Sequence, residues 1–347
     1  MLCLGIETSC DETAVAVLRG RQVLAEEVAS QVAEHATFGG VVPELASRRH
    51  LEGLDGLVTA ALGSAGVGLV DLDLIAVTRG PGLLVALLVG MQYAKGLAAG
   101  LGVPLIGVNH VTAHLEAVHL DAPVAYPYLG LVVSGGHTHL FRVAGSNALT
   151  LIGHTVDDAA GEAYDKVGKM IGLPYPSGAV LDGLAQEGDP AAIALPRPML
   201  DRDNLLFSFS GLKTAVRTYL SRAGQLPESG GSAPTGAALR DLAASFQAAV
   251  VETIVTKTVR AARREGLERL VVGGGVACNA GLRAAFAAGD GPAVHFLPPR
   301  YCTDNGVMVA ALGMAQYAAG VRHDLDLAPV PNLAALLEQE SATAAVS

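Results

Sequence analysis

The chain opens with Leu2-Cys3-Leu4-Gly5-Ile6-Glu7-Thr8, passes through Ser9-Cys10-Asp11-Glu12 and continues as Thr13-Ala14-Val15-Ala16-Val17-Leu18. Short apolar runs bounded by small polar residues are typical of buried β-strands, so this stretch predicts two strands joined by a polar loop. The same order returns further along the chain. An apolar run at residues 128–133 is followed by Ser134-Gly135-Gly136-His137-Thr138 and then by a second predicted strand at residues 139–143.

A third apolar run, at residues 269–272, leads into Gly273-Gly274-Gly275 and then into a predicted helix. Glycines let backbone amides approach a ligand closely, and a helix N-terminus carries partial positive charge that suits phosphate. The chain has neither the G-x-x-x-x-G-K-[ST] P-loop nor the glycine spacing of a dinucleotide site. Each of the three loops, taken singly, is compatible with a structural role, but together they predict a phosphate-binding site at strand ends.

The rest of the chain has the pattern of an α/β protein. Helical periodicity at residues 44–63 and 84–100 alternates with short apolar runs at residues 74–77 and 104–108. The 347 residues are 51% hydrophobic and 16% charged and include 42 glycines, which predicts two compact lobes with short turns. Residues 221–236 predict an exposed loop, and we expect the tail beyond Ala328 to be frayed.

Charge, cysteine spacing and hydropathy indicate the protein's setting. A net charge of −10 argues against non-specific nucleic-acid binding, although a local basic patch is still compatible with it. The four cysteines form no C-x-x-C pair, which favours a reducing compartment over a disulfide framework. The start of the chain lacks the features of a signal peptide, and the most apolar segment, residues 80–94, is too short to span a membrane. We therefore expect a cytoplasmic protein with no membrane partner.

Two histidines predict a metal site. His110 and His114 are four residues apart, which places both imidazoles on one face of a helix, and Asp304 offers an anionic third ligand from elsewhere in the fold. Paired histidines suggest a zinc peptidase, but in that class a glutamate follows the first histidine and acts as the general base. Here that residue is Val111, so the peptidase hypothesis lacks its base unless Glu116 or another carboxylate replaces it. Asp304 is also suited to the role of helix N-cap ahead of the apolar run from Val307.

Six longer motifs, together with these loops, resemble one known family in order. They are residues 5–13 (GIETSCDET), 40–48 (GVVPELASR), 133–138 (VSGGHT), 157–166 (DDAAGEAYDK), 207–214 (FSFSGLKT) and 304–306 (DNG). They are similar to the bacterial TsaD family of tRNA threonylcarbamoyladenosine transferases, formerly classed as O-sialoglycoprotein endopeptidases. The resemblance covers roughly residues 2–320.

The resemblance implies a fold and a division of the chain. The fold is the two-lobed α/β fold shared by actin, heat-shock-70 proteins and sugar kinases, in which each lobe is a mixed sheet flanked by helices. The N-terminal lobe is expected at residues 1–125, completed by about 305–330. The C-terminal lobe is expected at 126–304, with a flexible loop at 221–236, and residues 331–347 form a tail.

The resemblance also implies an activity and a set of site residues. The activity is transfer of a threonylcarbamoyl group from threonylcarbamoyl-AMP to N6 of the adenosine 3′ of the anticodon, in tRNAs that read codons beginning with A. The implied metal ligands are His110, His114 and Asp304. The implied substrate contacts are Val132, Val133, Ser134, Gly135, Gly136, Asp165, Gly178, Asp182 and Asn279. A tyrosine joins the metal ligands in the archaeal and eukaryotic branch, and Val132 stands at that position here.

Chemistry suggests roles for two further residues. The exocyclic amine of adenine is a weak nucleophile, so Asp11 and Glu12 in the first loop are candidates for its activation or for fixing a metal-bound water. His137 and His139 are not expected among the metal ligands. Lys213 is suited equally to phosphate, to tRNA or to solvent.

The implied cofactor is one divalent metal ion, with Fe²⁺ favoured and Zn²⁺ as the alternative, because imidazole and carboxylate accept either. The implied partners are tRNA, a paralogous TsaB-like subunit and a small TsaE-like P-loop ATPase. A competing hypothesis is an ATP-driven chaperone or sugar kinase of the same fold, which would release phosphate from ATP and would not need the histidine pair.

Overall fold

The structure is a computed structural model that describes residues 1–344, with side chains described as far as Glu340. The chain forms two compact units. The first consists of Met1–Tyr126, Ala144–Leu149 and the segment from Thr303 onward, and the second consists of Pro127–Val143 and Thr150–Cys302.

Ten strands and twelve α-helices are present in residues 1–344. The strands are β1 (Leu2–Glu7), β2 (Glu12–Arg19), β3 (Gln22–Ser30), β4 (Leu74–Gly80), β5 (Leu105–Asn109), β6 (Tyr128–Val133), β7 (Thr138–Gly145), β8 (Ala148–His154), β9 (Arg269–Gly273) and β10 (Ala293–Phe296). The helices are α1 (Val32–Ala36), α2 (Pro43–Ala65), α3 (Leu84–Leu101), α4 (His110–Glu116), α5 (Val118–Asp121), α6 (Ala160–Met170), α7 (Gly178–Ala185), α8 (Ser210–Arg222), α9 (Gly236–Glu265), α10 (Ala280–Ala288), α11 (Gly306–Ala318) and α12 (Leu333–Ala344).

Each unit is built on one five-stranded mixed sheet. The first sheet has the order β3-β2-β1-β4-β5 and the second has the order β10-β9-β6-β7-β8. In the first, β2 is antiparallel to β1 while β4 and β5 run parallel to it; in the second, β7 is antiparallel to β6 while β9 runs parallel to it. Both predicted hairpins are therefore present, and the predicted α/β class with two mixed sheets is confirmed.

The two faces of the first sheet differ in side-chain size. Alternate residues of a strand point to opposite faces, so Leu4 and Ile6 of β1 pack into a core with α2 and α3, whereas Gly5 faces α11. A Cβ on Gly5 would overlap the backbone of Gly306 and Ala310. The small residue at this position therefore lets α11 lie directly against the centre of the sheet.

Helix α3 contains the apolar segment that the sequence suggested was too short to span a membrane. It extends over 18 residues and, by length and composition alone, is sufficient to cross a membrane, so the expectation about length was wrong. Its Met91, Ala94 and Ala98 lie in the core of the first unit, so the same apolar composition also serves internal packing.

The C-terminal segment differs from the frayed tail that we expected. Helix α12 occupies Leu333–Ala344, with Leu336 fully buried, and Arg79 and Asn109 donate hydrogen bonds to Gln339 and Glu340. One buried leucine and two polar contacts hold a segment that composition alone did not mark as ordered. Residues 345–347 of the expected tail lie outside the described residues.

Candidate metal centre and adenylate site

Helix α4 carries both histidines, as the spacing predicted. It begins directly after β5, and Asn109 caps it because its side-chain oxygen accepts hydrogen bonds from the backbone N–H groups of Val111 and Thr112. The helix is buried from His110 to Glu116. The cap fixes the helix at the end of a central strand, so the first histidine lies at the carboxyl edge of the sheet.

The structure brings the three predicted metal ligands together. Nε2 of His114 is 3.2 Å and Nε2 of His110 is 3.5 Å from Oδ1 of Asp304. One donor atom from each residue lies within 4.8 Å of the other two. Donors that share an ion at about 2.0–2.2 Å are separated by at most about 4.4 Å, so small side-chain rotations would complete the geometry.

Glu7 lies behind His110 and orients it. Nδ1 of His110 donates to Oε2 of Glu7 at 3.0 Å, which leaves Nε2 of the same ring directed toward Asp304. Burial opposes the charge on Glu7, but the charge and hydrogen bond of His110 outweigh burial and lower the pKa of Glu7. Burial likewise opposes the charge on His110, yet Asp304 and Glu7 together raise its pKa to about 9. A metal ion bound at Nε2 would therefore displace the proton from that nitrogen. The negative charges of Asp304 and Glu7, which now favour the protonated ring, would then favour the bound cation.

The burial and hydrogen bonding of His114 indicate whether a cation fits this site. Its ring is fully buried, and neither Nδ1 nor Nε2 makes a hydrogen bond of good geometry to any of the described residues. A buried ring nitrogen without a partner is costly, whereas a metal ligand uses its lone pair. Two imidazoles, one carboxylate and an orphaned buried nitrogen match the donor set of a divalent transition metal.

Asp304 does not cap helix α11. The cap is Asn305, whose side-chain oxygen accepts from the N–H of Met308 at 2.8 Å, so the predicted N-cap role belongs to the next residue. Asp304 lies one residue earlier in the chain, and a quarter of its side chain is exposed. Because Asn305 caps α11, the carboxylate of Asp304 can face His110 and His114.

The first loop places Glu12 at the start of β2, with its side chain only partly exposed. Ser30 donates to one carboxylate oxygen at 2.8 Å, while the other oxygen is buried and makes no hydrogen bond to the described residues. Burial and the neighbouring charge of Asp11 raise the pKa of Glu12 to about 7. A carboxyl group with such a pKa can accept a proton near neutral pH.

A histidine that the sequence did not single out supports this loop. Nε2 of His50, on α2, is 2.9 Å from the carbonyl oxygen of Cys10, and its Nδ1 is 2.8 Å from Oγ1 of Thr13. The ring must therefore donate from Nε2 to the carbonyl oxygen. Burial lowers the pKa of His50, which favours the neutral ring, and in that form Nδ1 accepts from the hydroxyl of Thr13. His50 joins α2 to both ends of the loop that carries Asp11 and Glu12.

In the second unit, the predicted phosphate loops lie at one edge of the sheet. Strands β6 and β9 are adjacent and parallel, so their carboxyl ends lead into residues 134–137 and 274–278 at the same edge. Gly274 has φ of 90°, and a Cβ there would overlap the backbone of Val133. A Cβ on Gly135 or Gly136 would meet nothing, so these two glycines face open space. Val132 and Val133, at the end of β6, are fully buried.

Two predicted substrate contacts, Asp182 and Asn279, belong to one polar network. Gln247 donates to Asp182 at 2.9 Å and accepts from the amide of Asn279 at 2.7 Å. Asn279 also caps α10 by accepting from the N–H of Leu282, and the hydroxyl of Tyr164 lies 3.2 Å from Gln247. The sequence analysis assigned no role to Gln247 or to Tyr164, because a glutamine and a tyrosine within helices carry no spacing signal of their own.

Asp165 and Gly178 are connected through Ser177, whose N–H donates to Asp165 at 2.7 Å at the start of α7. Lys213 forms an ion pair with Asp158 at 3.1 Å. Phosphate, tRNA and solvent were the partners that the sequence suggested for this lysine, so the ion pair was not predicted.

Glu7 and Thr78 are further residues that the sequence did not single out. Glu7 ends the first apolar strand, and a charged residue there was the available signal.

Comparison with solved structures identifies the fold. Component A of (R)-2-hydroxyglutaryl-CoA dehydratase from Acidaminococcus fermentans superposes with a TM-score of 0.56 at 16% identity, covering 92% of this chain and 99% of that chain. The ROK hexokinase from Thermus thermophilus gives a TM-score of 0.50 at 16% identity, covering 92% of this chain and 100% of that chain. These likenesses confirm the predicted fold of actin, heat-shock-70 proteins and sugar kinases.

Comparison of sequences is more specific. Residues 22–311 match the family TsaD, tRNA N6-adenosine threonylcarbamoyltransferase. The protein of that name from Trichlorobacter lovleyi is 55% identical over 329 residues, which is 94% of each chain. The one from Syntrophotalea carbinolica is 53% identical over 332 residues, covering 94% of this chain and 95% of the relative. The chain therefore belongs to the tRNA N6-adenosine threonylcarbamoyltransferase family.

Proposed function

We propose that this transferase takes its threonylcarbamoyl group from threonylcarbamoyl-AMP and that His110, His114 and Asp304 hold one divalent metal ion, with Fe²⁺ favoured over Zn²⁺. The family assignment establishes transfer to N6 of adenosine in tRNA. The acceptor is the adenosine 3′ of the anticodon in tRNAs that read codons beginning with A. The convergence of three donor atoms within 4.8 Å carries the metal part of the proposal.

The reaction needs positioning and charge stabilisation more than a strong base. A mixed anhydride of a carbamate and a phosphate is already activated, and the leaving group is a stable nucleoside monophosphate. When bound, the metal would orient the donor and polarise its carbonyl. The protein's own contribution is to hold donor and acceptor in line, a role that can lower a barrier by several kcal/mol.

Glu12 is the candidate for removal of the proton from N6. Its pKa of about 7 leaves a large fraction ionised at neutral pH, and its side chain is partly exposed. Because the exocyclic amine becomes acidic only as it attacks, a base of this strength is sufficient at that moment. Asp11, the preceding residue, raises the pKa of Glu12 and thereby adjusts it to the task.

The carboxyl edge of the second sheet is the proposed adenylate site. The N–H groups of Gly135 and Gly136 contact the phosphate, in the loop that begins at Ser134, whose own N–H donates to the carbonyl oxygen of His137. Asp182 and Asn279 hold the nucleoside, with Asp165 and Gly178 at the same site. The network through Gln247 supports this assignment because it fixes both side chains before a ligand arrives. We also propose the division into an N-terminal lobe of residues 1–125 with about 305–330 and a C-terminal lobe of residues 126–304, and the presence of two compact units supports it.

The setting of the reaction is also a proposal. A net charge of −10 gives the chain no general affinity for RNA, so a TsaB-like paralogue and a TsaE-like P-loop ATPase would supply part of the tRNA grip in the cytoplasm. Tighter binding of tRNA by the assembly than by the isolated chain would support this. Equal affinities would contradict it.

The metal proposal is tested with protein purified without oxygen, then analysed for metal and incubated with threonylcarbamoyl-AMP and tRNA. The double variant His110→Ala with Asp304→Ala is expected to lose both the metal and the modified nucleoside. His154→Ala, an exposed histidine outside the site, is the matched control and should keep both. Full activity of the metal-free double variant would refute the proposal.

The competing hypotheses have less support. A chaperone or kinase of this fold would not need His114, whose buried Nε2 lies 3.2 Å from the carboxylate of Asp304. A peptidase would need a general base other than Val111, which is buried and aliphatic, and Glu116, the alternative, is itself buried and accepts from the hydroxyl of Tyr126 at 3.5 Å. Steady phosphate release from ATP without tRNA, or cleavage of a glycoprotein that stops with a chelator, would favour these alternatives.

A further inference from the structure

A chain of hydrogen bonds supports the first loop, which carries Asp11 and Glu12. Nε2 of His50 lies 2.9 Å from the carbonyl oxygen of Cys10, and the backbone N–H of Gln31 donates to the carbonyl oxygen of Asp11 at 3.0 Å. His50 belongs to α2, and Gln31 directly follows β3. Two consecutive carbonyl groups of the loop are therefore fixed by residues from two other parts of the first unit.

The side chain of Gln31 extends this chain of bonds away from the loop. Its Nε2 is 3.4 Å from Nδ1 of His50 and 3.4 Å from the carbonyl oxygen of Ala46, and its Oε1 is 3.2 Å from Nε2 of His35. Nδ1 of His35 in turn accepts from the N–H of Val42 at 3.3 Å. Gln31 therefore joins two imidazoles, and the bonds run without a break from Val42 to the loop.

The bonds have one self-consistent direction. Because the N–H of Val42 donates to Nδ1 of His35, the proton of that ring lies on Nε2 and is donated to Oε1 of Gln31. The amide nitrogen of Gln31 then donates to Nδ1 of His50, whose Nε2 donates to the carbonyl oxygen of Cys10. Each donor thus faces an acceptor along the whole chain.

The members of this chain are removed from water. Gln31, His35 and His50 are all buried, as is Thr13, whose hydroxyl lies 2.8 Å from Nδ1 of His50. A buried polar group is costly unless it is hydrogen-bonded, so the loss of one member leaves its neighbours unsatisfied. The arrangement is therefore a rigid support for the loop.

We propose that His50 is a positioning residue for the transfer reaction, and that Gln31 acts with it to hold the first loop so that Glu12 faces the acceptor amine. The inference rests on the proposed function, in which Glu12 removes the proton from N6. Both ring nitrogens of His50 are engaged, one with Cys10 and the other with Thr13, so the ring acts through the loop and touches no substrate.

The expected effect is on the chemical step. A general base must lie about 2.6–3.2 Å from the atom whose proton it removes. A shift of the loop by about 1 Å would separate Glu12 from N6, and a misplacement of that size can cost about 100-fold in rate. The proposed adenylate site belongs to the second sheet, so binding of the donor does not depend on this loop. Loss of the bond from His50 should therefore slow transfer and leave donor binding unchanged.

Two variants of His50 separate the roles of its two nitrogens. The amide nitrogen of glutamine is as many bonds from Cα as Nε2 of histidine is, so His50→Gln can still donate to the carbonyl oxygen of Cys10. The amide of asparagine reaches only as far as Nδ1, so His50→Asn can keep a partner for Thr13 but loses the bond to Cys10. Comparison of the two variants isolates that bond.

The test measures three quantities for each full-length variant: the single-turnover rate of tRNA modification at saturating threonylcarbamoyl-AMP, the half-saturating donor concentration and the metal content. His50→Asn is expected to lower the rate by at least about tenfold with the other two quantities native, whereas His50→Gln should stay within about threefold of the native rate. His154→Ala, at an exposed position of the second unit, is the control. Donor affinity or metal content that falls together with the rate would show a merely structural role and overturn the proposal.

Glu12→Gln, measured in parallel, separates this inference from the proposed function. A slow Glu12→Gln together with a native rate in His50→Asn would overturn the inference and leave the proposed function standing. A native rate in Glu12→Gln would overturn the proposed function and this inference with it. Should His50→Asn fail to fold, Thr13→Val takes its place, because it removes the hydroxyl at Nδ1 of His50 with little change in side-chain size. It should lower the rate at native donor affinity, and a native rate would overturn the inference.

Discussion

Oε2 of Glu7 lies 3.0 Å from Nδ1 of His110, so a carboxylate at the end of the first strand fixes the ring that begins helix α4. Oε2 of Glu7 also accepts from Thr78 at 2.6 Å, and Oε1 accepts from the N–H of Ser9 at 2.5 Å. These three hydrogen bonds together fix the position of the Glu7 carboxylate. Glu7 is therefore the anchor for the orientation of the first metal ligand.

Glu7→Gln is expected to lower metal affinity by about 10- to 100-fold, because a neutral amide raises the basicity of His110 less than a carboxylate does. Thr78→Val removes only one of the bonds to Glu7 and should have a smaller effect. Competition with a chromogenic chelator measures both affinities. Unchanged affinity in Glu7→Gln would show that the carboxylate has no part in tuning the site.

His114→Ala is expected to abolish stoichiometric metal binding while leaving the protein folded. Nδ1 of the ring makes no hydrogen bond to the described residues, and Nε2 lies 3.2 Å from Asp304, so the substitution removes a metal ligand together with its contact to another predicted ligand. Metal content by atomic spectroscopy and secondary structure by circular dichroism provide the two measurements. The control is His139→Ala, since His139 lies in the second unit and is not expected to bind metal. A native metal content in His114→Ala would contradict the assignment.

Glu12→Gln should change how stability depends on pH. The pKa of Glu12 is raised from 4.5 to about 7 by burial and Asp11, so the folded state holds this proton more tightly than the unfolded state. That contribution is complete below about pH 4.5 and is lost as the pH rises through 7. Without metal, Glu12→Gln should therefore be more stable than the native protein at pH 8, by about 1–2 kcal/mol after allowance for partial exposure, and nearly equal at pH 5.

Urea unfolding of the metal-free proteins at the two pH values measures this difference. Ser30→Ala is a useful companion, because it removes the hydrogen bond to Glu12 without removing the carboxyl group. An equal gain at pH 5 and pH 8 would show that Glu12→Gln acts through packing rather than through the proton.

Gly5→Ala and Gly53→Ala should have opposite effects on stability. A Cβ on Gly5 would overlap the backbone of α11, so we expect a loss of about 2–4 kcal/mol or failure to fold. Gly53 lies within helix α2, where a Cβ would meet nothing, and alanine there should stabilise the protein by about 0.5–1 kcal/mol. Thermal unfolding of the two variants compares them directly. If the protein tolerates alanine at position 5, then α11 does not need to lie directly against β1.

Much of the fold follows from local pattern. Residues 74–77 and 84–100 were recognisable because apolar runs and helical spacing depend only on neighbours in the chain. The order of the strands and the placement of α11 against Gly5 depend on contacts across hundreds of residues. Helix α12 was missed because its order rests on Leu336 and two polar contacts that no local window contains.

The candidate site divides in the same way. The spacing of His110 and His114 is a local signal, whereas Asp304 was proposed as a third ligand for its charge and was then implied by the family resemblance. The supporting residues Glu7 and His50 were missed, because a buried glutamate and a buried histidine show their purpose only through partners such as Thr78 and Thr13. Gln247 was missed for the same reason. Residues that orient a ligand are recognised by their contacts in the folded protein, and the spacing of residues in the sequence gives little information about those contacts.

The position of α11 has a consequence for biosynthesis. The first unit needs residues from Thr303 onward, and α11 packs on its central strand, so this unit remains incomplete until nearly the whole polypeptide has left the ribosome. The second unit is complete once Cys302 has emerged, so it can fold first, even though the chain begins with the other unit. The face of the first sheet that α11 covers therefore stays exposed until that helix has been synthesised.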